Sequence, residues 1–257
     1  MRRRNGLWVN LAVAVVKPLL LALTRRDWRG RRNIPAQGGV VVCSNHISYA
    51  DPLALAHYVY DSGRVPRFLA KASLFSLPVV GHILRGTGQI PVHRNSPDAT
   101  KALAAAVRAV NAGECVCVYP EGTIPADAGV WPTAGKTGAA RIALATGVPV
   151  VPLAQWGAHE LLPRGSWRPR LLRRTTVRVS AGRPVDLTDL CGADPGAELL
   201  REATDRIMDA VTALLVELRR EDLPPAQRHG ARPGVATAGP DTAVRPSRTE
   251  TVDGAGA

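Results

Sequence analysis

From Gly39 onward the chain alternates short apolar runs with stretches of helical periodicity, and no other feature narrows the possible folds as far. The apolar runs occupy residues 40–43, 68–70, 89–92, 115–119, 148–154 and 176–180. Their length, valine content and flanking Gly or Pro predict strands. Residues 97–111 read as a helix, with Ser96 as N-cap, Pro97 at the first helical position and Gly113 past the end. Residues 136–146 read as another, ended by Gly147. Residues 196–220 form a long amphipathic helix whose apolar stripe includes Leu199, Ala203, Ile207, Val211, Leu215 and Leu218. This alternation predicts an α/β fold, with a mixed, mostly parallel sheet flanked by helices. A chain of 257 residues, 46% of them hydrophobic, has room for one sizeable domain with appendages. We place that domain at residues 33–223. The Pro-, Gly- and Ala-rich residues 224–257 lack periodicity and are expected to be a disordered tail.

The first 32 residues have a different character. An apolar stretch over residues 7–23 is bracketed by Arg2–Arg4 and by Arg25 and Arg26. As a helix it would be about 25 Å long, short of a ~30 Å hydrocarbon core, and Lys17 and Pro18 lie inside it. Basic residues on both flanks, and no small-residue cleavage site after it, argue against a cleaved leader. A helix lying in the membrane interface fits these constraints, so residues 1–32 are expected to be a membrane-interacting segment. The formal net charge of +12 implies an anionic partner. A second basic cluster, from Arg164 through Arg168, Arg170, Arg173, Arg174 and Arg178 to Arg183, points the same way. Lipid surface, phosphorylated substrate and nucleic acid all satisfy the charge. The arginines are not interleaved with aromatics and no recognition helix is apparent, so nucleic acid is not expected. Cys43, Cys115, Cys117 and Cys191 form no CxxC pair, and Cys115 and Cys117 lie in an apolar run with no neighbouring His, which predicts free thiols and no metal site.

The residues with chemical potential sit in loops that follow strands. Ser44-Asn45-His46-Ile47-Ser48-Tyr49-Ala50-Asp51-Pro52 comes directly after the 40–43 run. On a continuous helix His46 and Asp51 would point about 140° apart, so they meet only if the chain turns between them. Asp51 as N-cap and Pro52 at the first helical position supply such a turn. The carboxylate then takes one imidazole nitrogen and leaves the other basic. No GxSxG elbow accompanies the pair, which suits activation of a substrate hydroxyl rather than a covalent nucleophile. Tyr119-Pro120-Glu121-Gly122-Thr123 follows the 115–119 run at the same kind of strand end, and two such loops can share one cleft. Gly122 allows close backbone approach and Thr123 offers a hydroxyl, both suited to a phosphate. Glu121 cannot bind an anion, so it is assigned to positioning donors or the hydroxyls of the acceptor.

Taken in order, these blocks resemble the glycerolipid acyltransferase family, typified by 1-acylglycerol-3-phosphate acyltransferase. NHISYADP matches its His-x4-Asp block, GQIPVHR its second, YPEGT its third, and VPVVPLA at 148–154 its apolar fourth. The FLAK and GKTGA segments, which contain Lys71 and Lys136, resemble the connections between blocks. The resemblance implies that His46 deprotonates the acceptor hydroxyl as it attacks an acyl thioester, with Asp51 orienting the imidazole. It implies that Arg94, Gly122 and Thr123 hold the acceptor phosphate, with Lys71 a further cation. It also implies acyl-CoA or acyl-carrier protein as co-substrate, no cofactor, a lysophospholipid-type acceptor, and a place on the cytoplasmic face of the cell membrane. One departure stands out. The third block usually continues with Arg, whereas Ile124 follows Thr123 here, so Arg94, Lys71 or Lys136 must compensate or the acceptor differs. Glycerol 3-phosphate or another lipid hydroxyl is the alternative acceptor, and a basic nucleic-acid-binding protein the alternative of a different class.

Overall fold

The structure is a computed structural model that describes residues 6–93, 99–124, 131–163, 166, 168–171, 173–191 and 196–220. Arg94, Ser96, Pro97, Trp167 and the 224–257 tail therefore lie outside the described residues.

Seven strands make one sheet: β1 (Thr24–Arg29), β2 (Val40–Ser44), β3 (Pro66–Lys71), β4 (Ile90–Val92), β5 (Cys115–Val118), β6 (Val150–Trp156) and β7 (Thr175–Ala181). Their order across the sheet is β1-β7-β6-β2-β5-β3-β4. Every neighbouring pair is parallel except β6 with β7. The mixed, mostly parallel sheet expected from the alternation is thus present. Strands β2 and β5 at its centre are buried along their whole length, as a parallel sheet covered on both faces requires.

Successive residues of β2 feed opposite layers. Val41 and Cys43 face the layer of α4 (Ala99–Asn111), α5 (Gly138–Thr146) and α7 (Ala197–Arg220). Val40 and Val42 face α2 (Asp51–Asp61). On α7 the buried stripe of Leu200, Ala203, Ile207, Val211, Leu215 and Leu218 follows the helical period read from sequence. Gly147 ends α5 in the left-handed conformation, at φ 65°, as expected of a residue past a helix end. Two shorter helices, α3 (Pro78–Gly86) and α6 (Ala158–Leu161), complete the layers. The free Cys43, Cys115 and Cys117 thiols are buried, and burial raises Cys43 to about 12.

The apolar 7–23 stretch is a helix, α1 (Leu7–Leu23), with Pro18 inside it. Lys17 is paired within the protein. Its Nζ lies 2.7 Å from Asp61 Oδ1 at the end of α2, where Arg26 and Trp28 also donate to the other carboxylate oxygen. Burial pushes the Asp61 carboxyl up, but the hydrogen bonds from Lys17 and Trp28 and the adjacent positive charge bring it below its ordinary range. One carboxylate therefore ties α1, β1 and α2 together. His57 packs edge-on against Trp28 beside this group, consistent with a structural histidine. Strand β1 itself was not apparent in the sequence. It lies within the segment assigned to the membrane and pairs with β7 from Thr24 to Arg29. The sheet therefore extends across the boundary placed at residue 33.

Candidate active site

In a parallel sheet the C-terminal ends of neighbouring strands share one edge, and here that edge collects the chemistry. The register Val42↔Cys117 and Cys43↔Val118 puts the loop after β2 beside the loop after β5. His46 and Glu121 meet there: Glu121 Oε1 accepts the His46 backbone N–H at 2.9 Å. Glu121 Oε2 accepts from Thr133, through both the backbone N–H at 3.2 Å and Oγ1 at 3.3 Å. The glutamate is buried, which raises its carboxyl above the usual range. Its oxygens are occupied by protein donors, in keeping with a positioning group.

His46 Nδ1 lies 3.0 Å from Asp51 Oδ2, so the turn between them does bring the pair together. The way it does so differs from the expected cap. Ala50 takes the N-cap place and Asp51 is the first residue of α2. The same Oδ2 accepts the backbone N–H groups of Ile47 at 2.5 Å and Ser48 at 2.7 Å, folding the loop around the carboxylate. Asp51 thus organises the loop that carries His46 and does not cap the helix behind it. With Nδ1 engaged, Nε2 is the nitrogen left for a substrate. Ser44 and Ser48, the hydroxyls nearest His46 in sequence, donate to the carbonyls of Asn45 and Leu162, and neither is set up as a nucleophile.

Two supports for His46 were not singled out from the sequence. Tyr119 stacks on the imidazole, with ring centroids 4.2 Å apart and planes inclined by 18°. Asn45 and Gln155 exchange hydrogen bonds in a buried pair: Asn45 Nδ2 donates to the Gln155 carbonyl, while Gln155 N and Nε2 donate to Asn45 Oδ1 and the Asn45 carbonyl. That pair locks β2 to β6 one residue before the histidine. The only signal for it was a polar residue at the end of each apolar run.

A cavity of about 1080 Å³ opens from His46. Lys71, Gly122, Thr123, Ile124 and Lys136 are among its lining residues, as are Lys17 and apolar side chains of α1, α3 and α4 such as Val13, Val16, Leu84 and Leu103. Lys71 ends β3, the neighbour of β5. Gly122 has φ 75°, and a Cβ there would lie 3.2 Å from Cδ and Cε of Lys136 and 3.3 Å from its Nζ. Lys136 therefore crosses directly over the YPEGT loop, anchored by its own N–H on the Pro120 carbonyl. This places a cation over Gly122, two residues before Ile124, and both Lys136 and Ile124 line the cavity. Gly122→Ala is expected to lose about 1–2 kcal/mol of stability from the left-handed backbone and to displace Lys136. A thermal melt and the KM for a phosphorylated acceptor would register the two effects separately.

Sheet order, the His46–Asp51 pair and the Glu121 bridge together define an α/β domain with a histidine–carboxylate pair beside a cavity lined by lysines and many apolar side chains. The chain belongs to the acyltransferase family, whose sequence model matches residues 25–156. It is 32% identical over 163 residues to a chloroplastic 1-acyl-sn-glycerol-3-phosphate acyltransferase of Brassica napus, covering 63% of this chain and 45% of that protein. It is 31% identical over 131 residues to the 1-acyl-sn-glycerol-3-phosphate acyltransferase of Borreliella burgdorferi, covering 51% and 50%. The chain thus spans about half the length of the curated relatives it matches. Among solved structures it is similar to the 1-acyl-sn-glycerophosphate acyltransferase PlsC of Thermotoga maritima, at 26% identity and a TM-score of 0.65, over 82% of this chain and 79% of that one.

Proposed function

We propose that the protein transfers a fatty acyl group from acyl-CoA or acyl-carrier protein to the free hydroxyl of 1-acylglycerol 3-phosphate, a step of phospholipid synthesis. The observation that carries this reading is the His46–Asp51 pair at 3.0 Å, with His46 lining a cavity that lysines and many apolar side chains also line. His46 Nε2 takes the acceptor hydroxyl proton as the oxygen bonds to the thioester carbonyl carbon. The tetrahedral intermediate then collapses, the carbon–sulfur bond breaks, and the thiolate recovers the proton from the imidazolium. Asp51 holds the Nδ1 proton throughout, and the stacked face of Tyr119 favours the transient positive ring. Gly122, Thr123, Lys71 and Lys136, joined by Arg94 as the resemblance implies, receive the acceptor phosphate. No cofactor enters this scheme.

The test is acyl transfer from labelled acyl-CoA to lysophosphatidate, glycerol 3-phosphate or a neutral lysophospholipid on vesicles. Lysophosphatidate is expected to be the best acceptor. A preference for glycerol 3-phosphate would favour the second acceptor, and a preference for the neutral lysophospholipid would fit the apolar Ile124 in the cavity wall. No transfer to any of the three would sink the activity.

We further infer that the protein docks on a membrane at its cytoplasmic face. Among the described residues no helix is long and apolar enough to cross a bilayer. Instead α1 exposes Leu7, Trp8, Leu11, Val15 and Leu19, spaced mostly four apart, and α3 exposes Val79, Val80 and Ile83 beside it. Trp8 sits against Gly86, joining the two helices into one apolar face. Such a face is suited to burial at the headgroup boundary. Leu11→Glu with Val15→Glu is expected to weaken binding to anionic vesicles by about tenfold or more, read by co-sedimentation. Undiminished binding would remove α1 from the membrane contact.

A further inference from the structure

The segment 131–136 returns from the YPEGT loop to the start of α5, and α7 holds it at two points. At one, Gly135 packs so closely that a Cβ would lie 2.8 Å from Met208 Cγ and 2.9 Å from Thr204 Cγ2. At the other, the Arg219 guanidinium carbon sits 3.9 Å from the centroid of the Trp131 ring and 4.8 Å from that of Trp156, the last residue of β6. Trp131 is 40% exposed, and the cation over its face restrains it in addition to its partial burial. The same six residues meet the active site at two further points. Thr133 donates twice to Glu121, which in turn holds the His46 N–H, and Lys136 crosses Gly122.

We propose that Arg219 is a positioning residue for acyl transfer. By clasping Trp131 against β6 it sets Thr133 on Glu121 and Lys136 over the phosphate-side loop, although it touches no substrate itself. The inference rests on the acceptor reading given above. The α7 stripe is already buried through Leu215 and Leu218, and Arg219 adds to that seating its contact with Trp156 of β6. Its contact with Trp131 is its contribution to the loop.

Arg219→Ala is expected to speed amide hydrogen exchange at Thr133 in the full-length protein, while the melting temperature stays close to wild type. In the vesicle assay it is expected to raise the KM for lysophosphatidate and lower kcat/KM by about tenfold or more, with the KM for acyl-CoA unchanged. Arg219→Lys should recover most of that loss, since an ammonium also seats over an indole face. Trp131→Ala should reproduce the defect, and the double variant should be no worse than either single one. Unchanged exchange at Thr133 overturns the clasp whatever the kinetics, including where the wild type acylates a different acceptor or none. Faster exchange with an unaltered acceptor KM would overturn the positioning role, and multiplicative losses in the double variant would overturn the pairing of Arg219 with Trp131.

Discussion

Replacing His46 with alanine is expected to slow acyl transfer by about 10²–10⁴-fold, the range over which a positioned general base acts. The imidazole is held from three sides: by Asp51 at Nδ1, by Tyr119 on its face, and by Glu121 through its backbone N–H. Only the first two contacts are lost with the side chain, because the backbone bond to Glu121 does not depend on it. The loop should therefore keep its place, and the loss should fall on the rate. At 15% side-chain exposure the ring is mostly buried, so losing its stack on Tyr119 and its donor to Asp51 should also cost about 1–3 kcal/mol of stability. Initial rates at saturating donor and acceptor, alongside a thermal melt, would measure both. A rate within tenfold of wild type would exclude His46 as the base.

The second large effect belongs to Asp51, where two substitutions separate charge from architecture. A single oxygen, Oδ2, accepts the Nδ1 proton of His46 and two backbone N–H groups, while Oδ1 is buried without a hydrogen-bond partner among the described residues. Asn can present its carbonyl oxygen to the same three donors. Its amide nitrogen then takes the buried Oδ1 position, which offers it no acceptor, so Asp51→Asn should keep the loop but lose about 1–3 kcal/mol. It should also lose about 10²-fold or more in kcat, because no negative charge remains to stabilise the imidazolium. Asp51→Ala leaves the buried Ile47 and Ser48 N–H groups unsatisfied, at about 1–3 kcal/mol each. It should lose stability as well as rate. A full rate in Asp51→Asn would show that the carboxylate matters only as a scaffold for the loop.

How far these residues could be read from sequence varied with the range of the interactions involved. The His46–Asp51 contact was legible because it is local. A turn is required to bring the two side chains together, and Asp51-Pro52 is turn chemistry. Its detailed form was not legible: whether Asp51 caps α2 or gathers the loop N–H groups depends on where the Val40–Ser44 strand ends relative to the helix. Glu121 was assigned to positioning because an anion repels a phosphate. Its actual partners, the His46 N–H and Thr133, lie 75 and 12 residues away. Strand β1 was missed for a related reason. TRRDWR has neither alternation nor an apolar run, and it is a strand because β7 offers it a parallel edge from Thr24 to Arg29. Lys17 looked misplaced in an apolar helix until Asp61 appeared beneath it, 44 residues on.

What the sequence by itself determined, then, was six of the seven strands, the longer helices, several of the turns that end them and the identity of the chemical groups. Hydrophobic period, Gly and Pro placement and residue chemistry act over a few residues and can be read there. Only the tertiary structure decided which loops face each other. Strand order puts β2 beside β5, and that adjacency joins His46 to Glu121. The return of the chain from Trp131 to Lys136 puts a cation over Gly122, and α7 reaches back to hold it. Each of these contacts links residues distant in the chain through packing that no local pattern encodes.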